Sequence, residues 1–458
     1  VIMRTHPAPL PATEEHDSGT VMPRLRALGF RYLHVIDSLS LFAVMHLITV
    51  ARFGFDWPTY PLAHYLVGFS LATVIHVVVY YFGGMYEYEQ RLGSPPWLPK
   101  ATLLTGIAIL TSAALALVTG RYLMPRGNLL VLFFVGSALV TFNRWFARRI
   151  RSRRFGAPRV LLVGSPDDIE LARRHLGDSG SDATVAGATP TTSGLLAEVD
   201  AIDATDVLLL GSDPLEAIYP APLDQFERRL IGVYRRVQPV DTLLGLQRSR
   251  EIAGMPFVAL RTHAVPLYRL RLKRLLDFLL LLVALPVIVV VVGLAALYVF
   301  VRAGRGVIYR QERVGRRGEV FEVLKFRTMI RDAEAATGAT LATKNDPRVL
   351  AGMRWFRAAR LDELPQLWNV ARGEMSLVGP RPERAEFVER FEELLPGYNR
   401  RHDMSPGITG LAQIRGHYQT DPGYKLGHDL QYIVNWSPVL DLMIMLETIV
   451  VMARRSAR

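Results

Sequence analysis

The first third of the chain alternates between long apolar stretches and short polar connections. Four apolar stretches run from about His34 to Ala51, Leu62 to Gly83, Ala101 to Gly120 and Asn128 to Phe142. Each approaches the ~20 apolar residues that an α-helix needs to cross a bilayer core. The pattern predicts a four-helix transmembrane bundle over residues 29–147, preceded by a mobile cytoplasmic tail over residues 1–28.

A mixed pattern of short β-like runs and polar segments follows the fourth apolar stretch. Arg159 to Val163 and Asp206 to Leu210 are apolar runs that end at a glycine, as strands of a Rossmann-like α/β domain do. The first turn, GSPDDI, keeps only one glycine of the dinucleotide fingerprint G-x-G-x-x-G. Its two aspartates would also repel a pyrophosphate at the helix N-terminus. We expect residues 148–262 to form this domain and to lack dinucleotide binding.

A fifth apolar stretch, Phe278 to Val301, carries no charge and is long enough to span a bilayer. By hydropathy alone it is a fifth crossing, which would place the carboxyl-terminal third of the chain outside. Pro286 lies within it, where proline removes a backbone donor and kinks a helix. Basic residues flank both ends, and they favour the cytoplasmic face. The two alternatives are therefore a crossing and a re-entrant helix over residues 275–302 that breaks at Pro286.

The composition combines high hydrophobicity with a positive charge. Of 458 residues 50% are hydrophobic, yet the net charge is +12. Apolar spans with basic flanks account for both values, since basic residues near an anionic leaflet contribute about 1 kcal/mol each. Arginines on both sides of the four spans place both sides in the cytoplasm. We expect membrane lipids and no nucleic acid as partners, and the absence of cysteine excludes disulfides, thiolate metal sites and cysteine nucleophiles.

An acidic pair, Asp362 and Glu363, is the clearest candidate for chemistry. Adjacent carboxylates raise each other's pKa unless a positive group compensates. Basic residues supply a phosphate-binding side: Lys325, Arg327, Arg357 and Arg381. Acids with a basic surrounding are typical of metal-assisted phosphoryl transfer. The alternative is that the pair begins an amphipathic helix, where acids favour the dipole.

Seven sequence blocks between Lys273 and Arg454 carry a resemblance to a known family. They are KRLLDFLLLLVALPVIVVV, GVIYRQERVGRRGEVFEVLKFRTM, KNDPRV, LDELPQLWNV, GEMSLVGPRP, SPGITGLAQIRG and NWSPVLDLMIMLETI. In content and order they resemble the catalytic domain of the bacterial polyprenyl-phosphate hexose-1-phosphate transferases, the large monotopic phosphoglycosyl transferases. Because the order of the blocks matches as well as their content, the resemblance is specific.

The resemblance implies an architecture. Residues 263–458 would be a mixed α/β catalytic domain with a re-entrant membrane helix that bends at Pro286. Family members of this length carry a Rossmann-like module before the catalytic domain, which implies a regulatory or oligomerising role and a homodimer among the expected partners. The active site would lie on the cytoplasmic face of a bacterial inner membrane.

The resemblance also implies a reaction, the transfer of hexose 1-phosphate from a UDP-sugar to polyprenyl phosphate. This is the first membrane step of exopolysaccharide, capsule or O-antigen synthesis. Asp362 would be the nucleophile of a covalent phosphosugar intermediate, and Glu363 would share Mg²⁺ with it or steer a proton. Mg²⁺ suits a set of oxygen ligands. The residues expected to bind phosphate and substrate are Lys325, Arg327, Arg357, Pro380, Arg381 and Gln413.

The chain departs from the family pattern where sugar or nucleotide would be recognised. Ser405 replaces a common arginine, Leu411 a common tryptophan, and Gly416 is followed by His417, so the hexose is not specified. His402, His417 and His428 are too widely spaced to favour a metal site over substrate or surface contacts. Two other functions are weighed: a glycosyltransferase that passes the sugar alone, and a membrane-bound nucleotide sensor with a degenerate catalytic domain.

Overall fold

The computed structural model of the protein describes most of the chain. The described residues are 32–55, 61–87, 92, 97–120, 124–178, 183–211, 217–219, 222–238, 250–260, 265–330, 346–395, 397–415 and 421–456. The predicted tail over residues 1–28 and the residue His417 lie outside them. The chain divides into two compact units, residues 1–262 and residues 263–458.

Four apolar helices begin the first unit and pack around a shared core. They are α1 (Leu33–Phe53), α2 (Leu62–Phe82), α3 (Trp97–Thr119) and α4 (Arg126–Phe155). Leu41, Phe69 and Leu132 are fully buried between them. All four are long and apolar enough to cross a membrane, and within the described residues α8 is the fifth such helix (Leu267–Ala303). The predicted apolar stretches are thus confirmed as helices.

Several polar groups inside these helices have partners on the same helix or on a neighbouring one. Asp37 on α1 pairs with Arg144 on α4, with 2.8 Å between Oδ2 and Nη2, and both are buried. The Nδ1 atoms of His46 and His76 lie 2.9 and 2.8 Å from carbonyls one turn earlier. Such contacts remove the cost of unpaired polar groups in a bilayer.

An α/β domain follows, built on a six-stranded sheet in the order β2-β1-β3-β4-β6-β5. Its elements are β1 (Arg159–Val163), α5 (Pro166–Asp178), β2 (Thr184–Thr189), α6 (Leu195–Ala201), β3 (Asp206–Leu209), α7 (Leu223–Arg228), β4 (Gly232–Arg236), β5 (Arg250–Ile252) and β6 (Met255–Leu260). The first four strands of that order are parallel. Side chains on both faces of β1 are buried, as expected for a parallel sheet covered by helices on both faces.

Side chains of the domain itself form hydrogen bonds and an ion pair at the turn after β1. The hydroxyl of Ser165 donates to Asp168, and Arg236 pairs with the same carboxylate at 2.9 Å. This places a chain carboxylate at the N-terminus of α5, where a Rossmann domain binds pyrophosphate. The expected lack of dinucleotide binding stays a prediction.

The second unit contains the long helix α8 and a small mixed α/β domain. Its further elements are β7 (Ile308–Val314), β8 (Val320–Phe326), α9 (Arg354–Ala358), α10 (Gln366–Arg372), β9 (Ser376–Val378), α11 (Ala385–Leu394), β10 (Gly407–Thr409), α12 (Leu411–Arg415), α13 (Pro422–Asn435) and α14 (Pro438–Ser456). β7 and β8 form an antiparallel hairpin. β9 and β10 form a separate parallel pair.

Helix α8 runs through Pro286 without a non-helical residue, so the interruption predicted at this proline is absent. The missing N–H of a proline permits a kink in a helix that otherwise continues. Both ends of α8 pack on the same unit. Near its start Lys273 pairs with Asp441 of α14 at 2.7 Å, and near its end Tyr298 donates to the carbonyl of Gly352 at 2.9 Å. The apolar side chains between these ends are mostly exposed.

Candidate active site

The acidic pair lies on a 3₁₀ turn, Leu361–Glu363, between α9 and α10. The turn follows Arg360, whose φ of 54° is left-handed. This conformation is uncommon for a residue with a side chain, and such residues cluster at functional sites. The Arg360 guanidinium donates to Glu363, with 3.0 Å between Nη1 and Oε2. The backbone turn therefore directs a cation onto the acidic pair, which precedes the helix α10 rather than beginning it.

Glu363 is buried and is surrounded by cations. Besides Arg360, Lys325 at the end of β8 lies 3.4 Å from its carboxylate and Arg381 lies 3.3 Å from it. Burial alone would raise the pKa of Glu363, but these cations outweigh burial and hold it well below its usual range. Glu363 is therefore ionised, and its negative charge gathers three positive side chains at one point.

Asp362 has a different environment from its neighbour. It is half-buried, and none of the residues that the structure describes donates a hydrogen bond to its carboxylate. Burial and the charge of Glu363 raise the pKa of Asp362 to about 6, although nearby cations oppose this shift. Two adjacent carboxyl groups are thus made chemically distinct: Glu363 is a fixed anion, and Asp362 has a raised pKa and no hydrogen-bond donor among the described residues.

The remaining predicted phosphate-binding residues are placed differently. Arg357 donates to Thr328 at 3.2 Å and is close enough to Asp362 to lower its pKa. Arg327 instead donates to the carbonyl of Ala303 at the end of α8. Since β8 ends at Phe326, the period-2 alternation that would place Arg327 beside Lys325 stops before it. The structure brings Arg357 to the acidic pair, whereas the contact found for Arg327 is with α8.

The GPRP turn is attached to the SPGIT segment by backbone hydrogen bonds. The N–H of Gly379 donates to Thr409, and the carbonyl of Pro380 accepts from Gly407, at 2.8 and 2.9 Å. A side chain at position 379 would collide with the backbone carbonyl of Ser405, so glycine is needed for this close approach. The two motifs are far apart in sequence but together place Arg381 against Glu363.

Gln413 lies on α12, close to the same turn. Its amide nitrogen, Nε2, is buried and makes no hydrogen bond with the described residues. Buried donors are normally satisfied, so an oxygen that the described residues do not supply would complete the bonding of Gln413. The predicted role of Gln413 in substrate binding stays a prediction that this unpaired donor supports.

A metal would have to be held mainly by Asp362 and substrate oxygens. The carboxylate of Glu363 is already engaged by cations, and the described residues contain no group of three or more His, Asp or Glu suited to a metal ion. Mg²⁺ commonly uses one or two carboxylates together with phosphate oxygens, which one unpaired carboxylate fits. His402 is buried and has a pKa lowered to about 4, by burial and then by Arg401.

Several contributors were missed by sequence reasoning. Arg401 donates to the carbonyl of Arg381 at 2.9 Å and pairs with Asp429 at 2.8 Å, both buried. Arg360 and Asn369 also contact the site or its supporting strand. No local pattern separates these residues from ordinary polar ones, because their partners lie in other elements.

Comparison with known proteins gives a consistent result. A family model described as bacterial sugar transferase matches residues 268–455. The chain is 38% identical over 222 residues to the UDP-N-acetylgalactosamine-undecaprenyl-phosphate N-acetylgalactosaminephosphotransferase of Aeromonas hydrophila, covering 48% of this chain and 52% of the relative. It is 40% identical over 210 residues to a UDP-glucose:undecaprenyl-phosphate glucose-1-phosphate transferase of Klebsiella pneumoniae, covering 44% of each. The matched region thus spans about half the length of these relatives.

A shorter relative is covered more completely. The UDP-glucose:undecaprenyl-phosphate glucose-1-phosphate transferase of Caulobacter vibrioides is 36% identical over 222 residues, which are 46% of this chain and 83% of the relative. The family model matches the part of the chain that carries α8 and the acidic pair.

Proposed function

The chain belongs to the bacterial sugar transferase family, and we propose that it transfers a hexose 1-phosphate from a UDP-sugar to polyprenyl phosphate. The observation that carries the proposal is the difference in environment between the two carboxyl groups of the acidic pair. Glu363 is ionised and gathers three cations, whereas Asp362 is unpaired and has a raised pKa. A site that binds phosphates and attacks one of them needs both features.

The reaction proceeds in two displacements at phosphorus. An Asp362 oxygen attacks the sugar-bearing phosphorus, the bond to the bridging oxygen of UMP breaks, and UMP leaves with that electron pair. A phosphate oxygen of polyprenyl phosphate then attacks the same phosphorus and releases Asp362. Each step exchanges one phosphoryl bond for another, so the main barrier is repulsion between anions. Bound Mg²⁺ would supply further neutralisation of phosphate charge.

The cations around Glu363 have the role of holding the diphosphate. Lys325 and Arg381 approach the same carboxylate from β8 and from the GPRP turn. Both side chains are partly exposed, so an incoming phosphate can reach them. Positioned charges of this kind stabilise the transferring phosphoryl group because they require no rearrangement during the reaction.

The product nucleotide distinguishes this function from its closest enzymatic rival. Incubation of the purified membrane protein with UDP-sugar, polyprenyl phosphate and Mg²⁺ should release UMP, whereas a glycosyltransferase that passes the sugar alone would release UDP. A non-enzymatic sensor would release neither nucleotide. An assay over several UDP-sugars would also identify the hexose.

We expect the first displacement to slow in acid. Asp362 must be ionised to attack, and its pKa is about 6, so the ionised fraction decreases as pH falls through this value. Below it the single-turnover rate of UMP release should fall about tenfold per pH unit. Rapid-quench measurement over the mildly acidic range checks this. A rate that stays constant through this range would contradict the assignment of Asp362 as the nucleophile.

Localisation at the cytoplasmic face rests on the two ends of α8. Lys273 near the start and Tyr298 near the end contact one small domain, while the apolar middle is exposed. A helix that crossed the membrane would place these ends on opposite sides of a core about 30 Å thick. This supports a re-entrant course for α8, and the basic residues at both of its ends favour the cytoplasmic side of a bacterial inner membrane.

Accessibility of inserted tags tests this topology. Tags after Phe155 and after Val307 should both be protected from an impermeant reagent added to intact cells, because both positions would be cytoplasmic. A tag after Gly120, between α3 and α4, should be labelled and serves as the control. Labelling of the tag after Val307 together with the control would show that α8 crosses the membrane.

A further inference from the structure

The backbone groups along one edge of strand β8 form hydrogen bonds with a side chain. The other edge of β8 pairs with β7, with Val323 opposite Gln311 and Lys325 opposite Tyr309. The carbonyl of Glu322 and the N–H of Leu324 instead bond to Asn369 of α10. These backbone groups would otherwise be unpaired beside the acidic pair, and unpaired buried groups are costly.

The side-chain amide of Asn369 forms hydrogen bonds with both backbone groups, the carbonyl of Glu322 and the N–H of Leu324. Asn369 is fully buried. Its Oδ1 accepts from Leu324 at 3.1 Å, its Nδ2 donates to Glu322 at 2.7 Å, and the second Nδ2 proton goes to Glu374, also at 2.7 Å. Bonds to the carbonyl before a residue and to the N–H after it are the pattern of a parallel strand. The amide therefore supplies the N–H and the C=O that one residue of a neighbouring parallel strand would supply on either side of Val323.

This contact links the two segments that form the active site. Leu324 immediately precedes Lys325, whose amine lies 3.4 Å from Glu363. Asn369 lies on the helix that follows the acidic pair. The amide consequently sets the distance between the strand that carries Lys325 and the turn that carries Asp362 and Glu363.

We propose that Asn369 is a positioning residue which, by pairing with the open edge of β8, holds the Lys325 amine at the acidic pair. Its catalytic consequence rests on the proposed phosphosugar transfer, whereas its effect on Lys325 does not. The helix has a second attachment, because Arg274 of α8 donates to the carbonyls of Val370 and Ala371. Replacement of Asn369 is therefore expected to loosen β8 while α10 remains anchored.

Chemical labelling of lysine tests the positioning without any assumption about the reaction. In the full-length Asn369→Ala protein, Lys325 should react with an amine-directed reagent at least about threefold faster than in wild type, because local opening exposes it. Lys425 on α13 serves as the internal reference, and Asn435→Ala, which removes an exposed amide, as the matched control. An unchanged Lys325 rate in folded Asn369→Ala protein would overturn the proposal.

A double-mutant cycle tests the catalytic consequence. Asn369→Ala should lower kcat about tenfold with a smaller change in KM, since other cations still bind the diphosphate. In a Lys325→Met background the same replacement should change kcat by less than about twofold, because its effect passes through the absent amine. Equal fold-losses in both backgrounds would overturn the proposal. Absence of UMP release by wild type would instead refute the proposed function, and lysine labelling would still decide the role of Asn369.

Asn369→Asp adds a pH signature that general loss of stability would not produce. As a carboxylate it cannot donate to Glu322, and it faces Glu374, which is itself 3.5 Å from Arg372. From α8, Arg274 donates to the carbonyl of Ala371 two residues further along. When protonated, the replacement can donate its one O–H to the carbonyl of Glu322 and accept from the N–H of Leu324, which restores both bonds to β8. Its kcat relative to wild type should rise as pH falls, while the Asn369→Ala ratio stays constant. A falling or constant Asn369→Asp ratio would overturn the proposal.

Discussion

Asp362→Asn should abolish the covalent sugar-phosphate adduct and lower turnover by roughly 10³-fold or more, as loss of a covalent nucleophile does. With UDP-sugar but no polyprenyl phosphate, wild type should gain the mass of one phosphohexose on the peptide containing Asp362 and release one equivalent of UMP. The variant should do neither. Its thermal stability should be equal or higher, because burial disfavours the ionised form of Asp362 and raises its pKa to about 6.

Asp421→Asn is the matched control for this replacement. Asp421 caps α13 by accepting from the N–H of Tyr424 at 3.1 Å, and asparagine caps helices about as well as aspartate. This variant should keep wild-type turnover and adduct formation. An adduct on another residue, or near-normal turnover of Asp362→Asn, would exclude the two-step mechanism.

Glu363→Gln should combine a large loss of activity with a shift in pH dependence. The three cations that converge on Glu363 would lose their common anion, so Lys325 and Arg381 should repel each other and move. We expect turnover to fall about 100-fold, the scale of losing one preorganised charge contact. Stability should fall by about 3 kcal/mol, the lower end for breaking a buried ion pair, because the cations are partly exposed.

The pH shift identifies the electrostatic coupling within the pair. Glu363 is the second-largest cause, after burial, of the raised pKa of Asp362. Neutralising Glu363 should therefore lower the pKa of Asp362, so the acidic limb of the pH–rate profile for UMP release should move to lower pH. Glu447→Gln, which removes a partner of the exposed Arg415 ion pair, should change neither property measurably. An acidic limb that stays in place in Glu363→Gln would contradict the coupling.

Local patterns were sufficient to predict several elements of this chain. The apolar stretches predicted helices α1 to α4 because their length and composition alone suit a bilayer, and the run at Arg159–Val163 matched β1 residue for residue. A proline within an apolar stretch was a weaker predictor of where a helix ends. At Pro286 the predicted interruption is absent, since a helix can lose one N–H donor and remain helical on both sides.

The site was only partly available from sequence. The acidic pair, Lys325 and Arg381 stood in recognisable motifs, whereas Arg357 was proposed only as a nearby cation, and the structure places all of them together. Arg327 shared a motif with Lys325, yet it contacts the end of α8 because the strand ends between them. The different properties of Asp362 and Glu363 could not be read from two adjacent letters, since burial and the positions of distant cations decide them.

The sequence by itself determined the membrane character, the α/β middle domain and the family of the carboxyl-terminal part, because hydrophobic length, strand alternation and ordered motifs are local properties. Only the tertiary structure decided which side chains meet. Lys325 and Arg381 reach Glu363 from 38 and 18 residues away, and Asn369 reaches Leu324 from 45. Such contacts depend on how elements pack, and a period of 2 or 3.6 residues specifies a face of an element but not its partner.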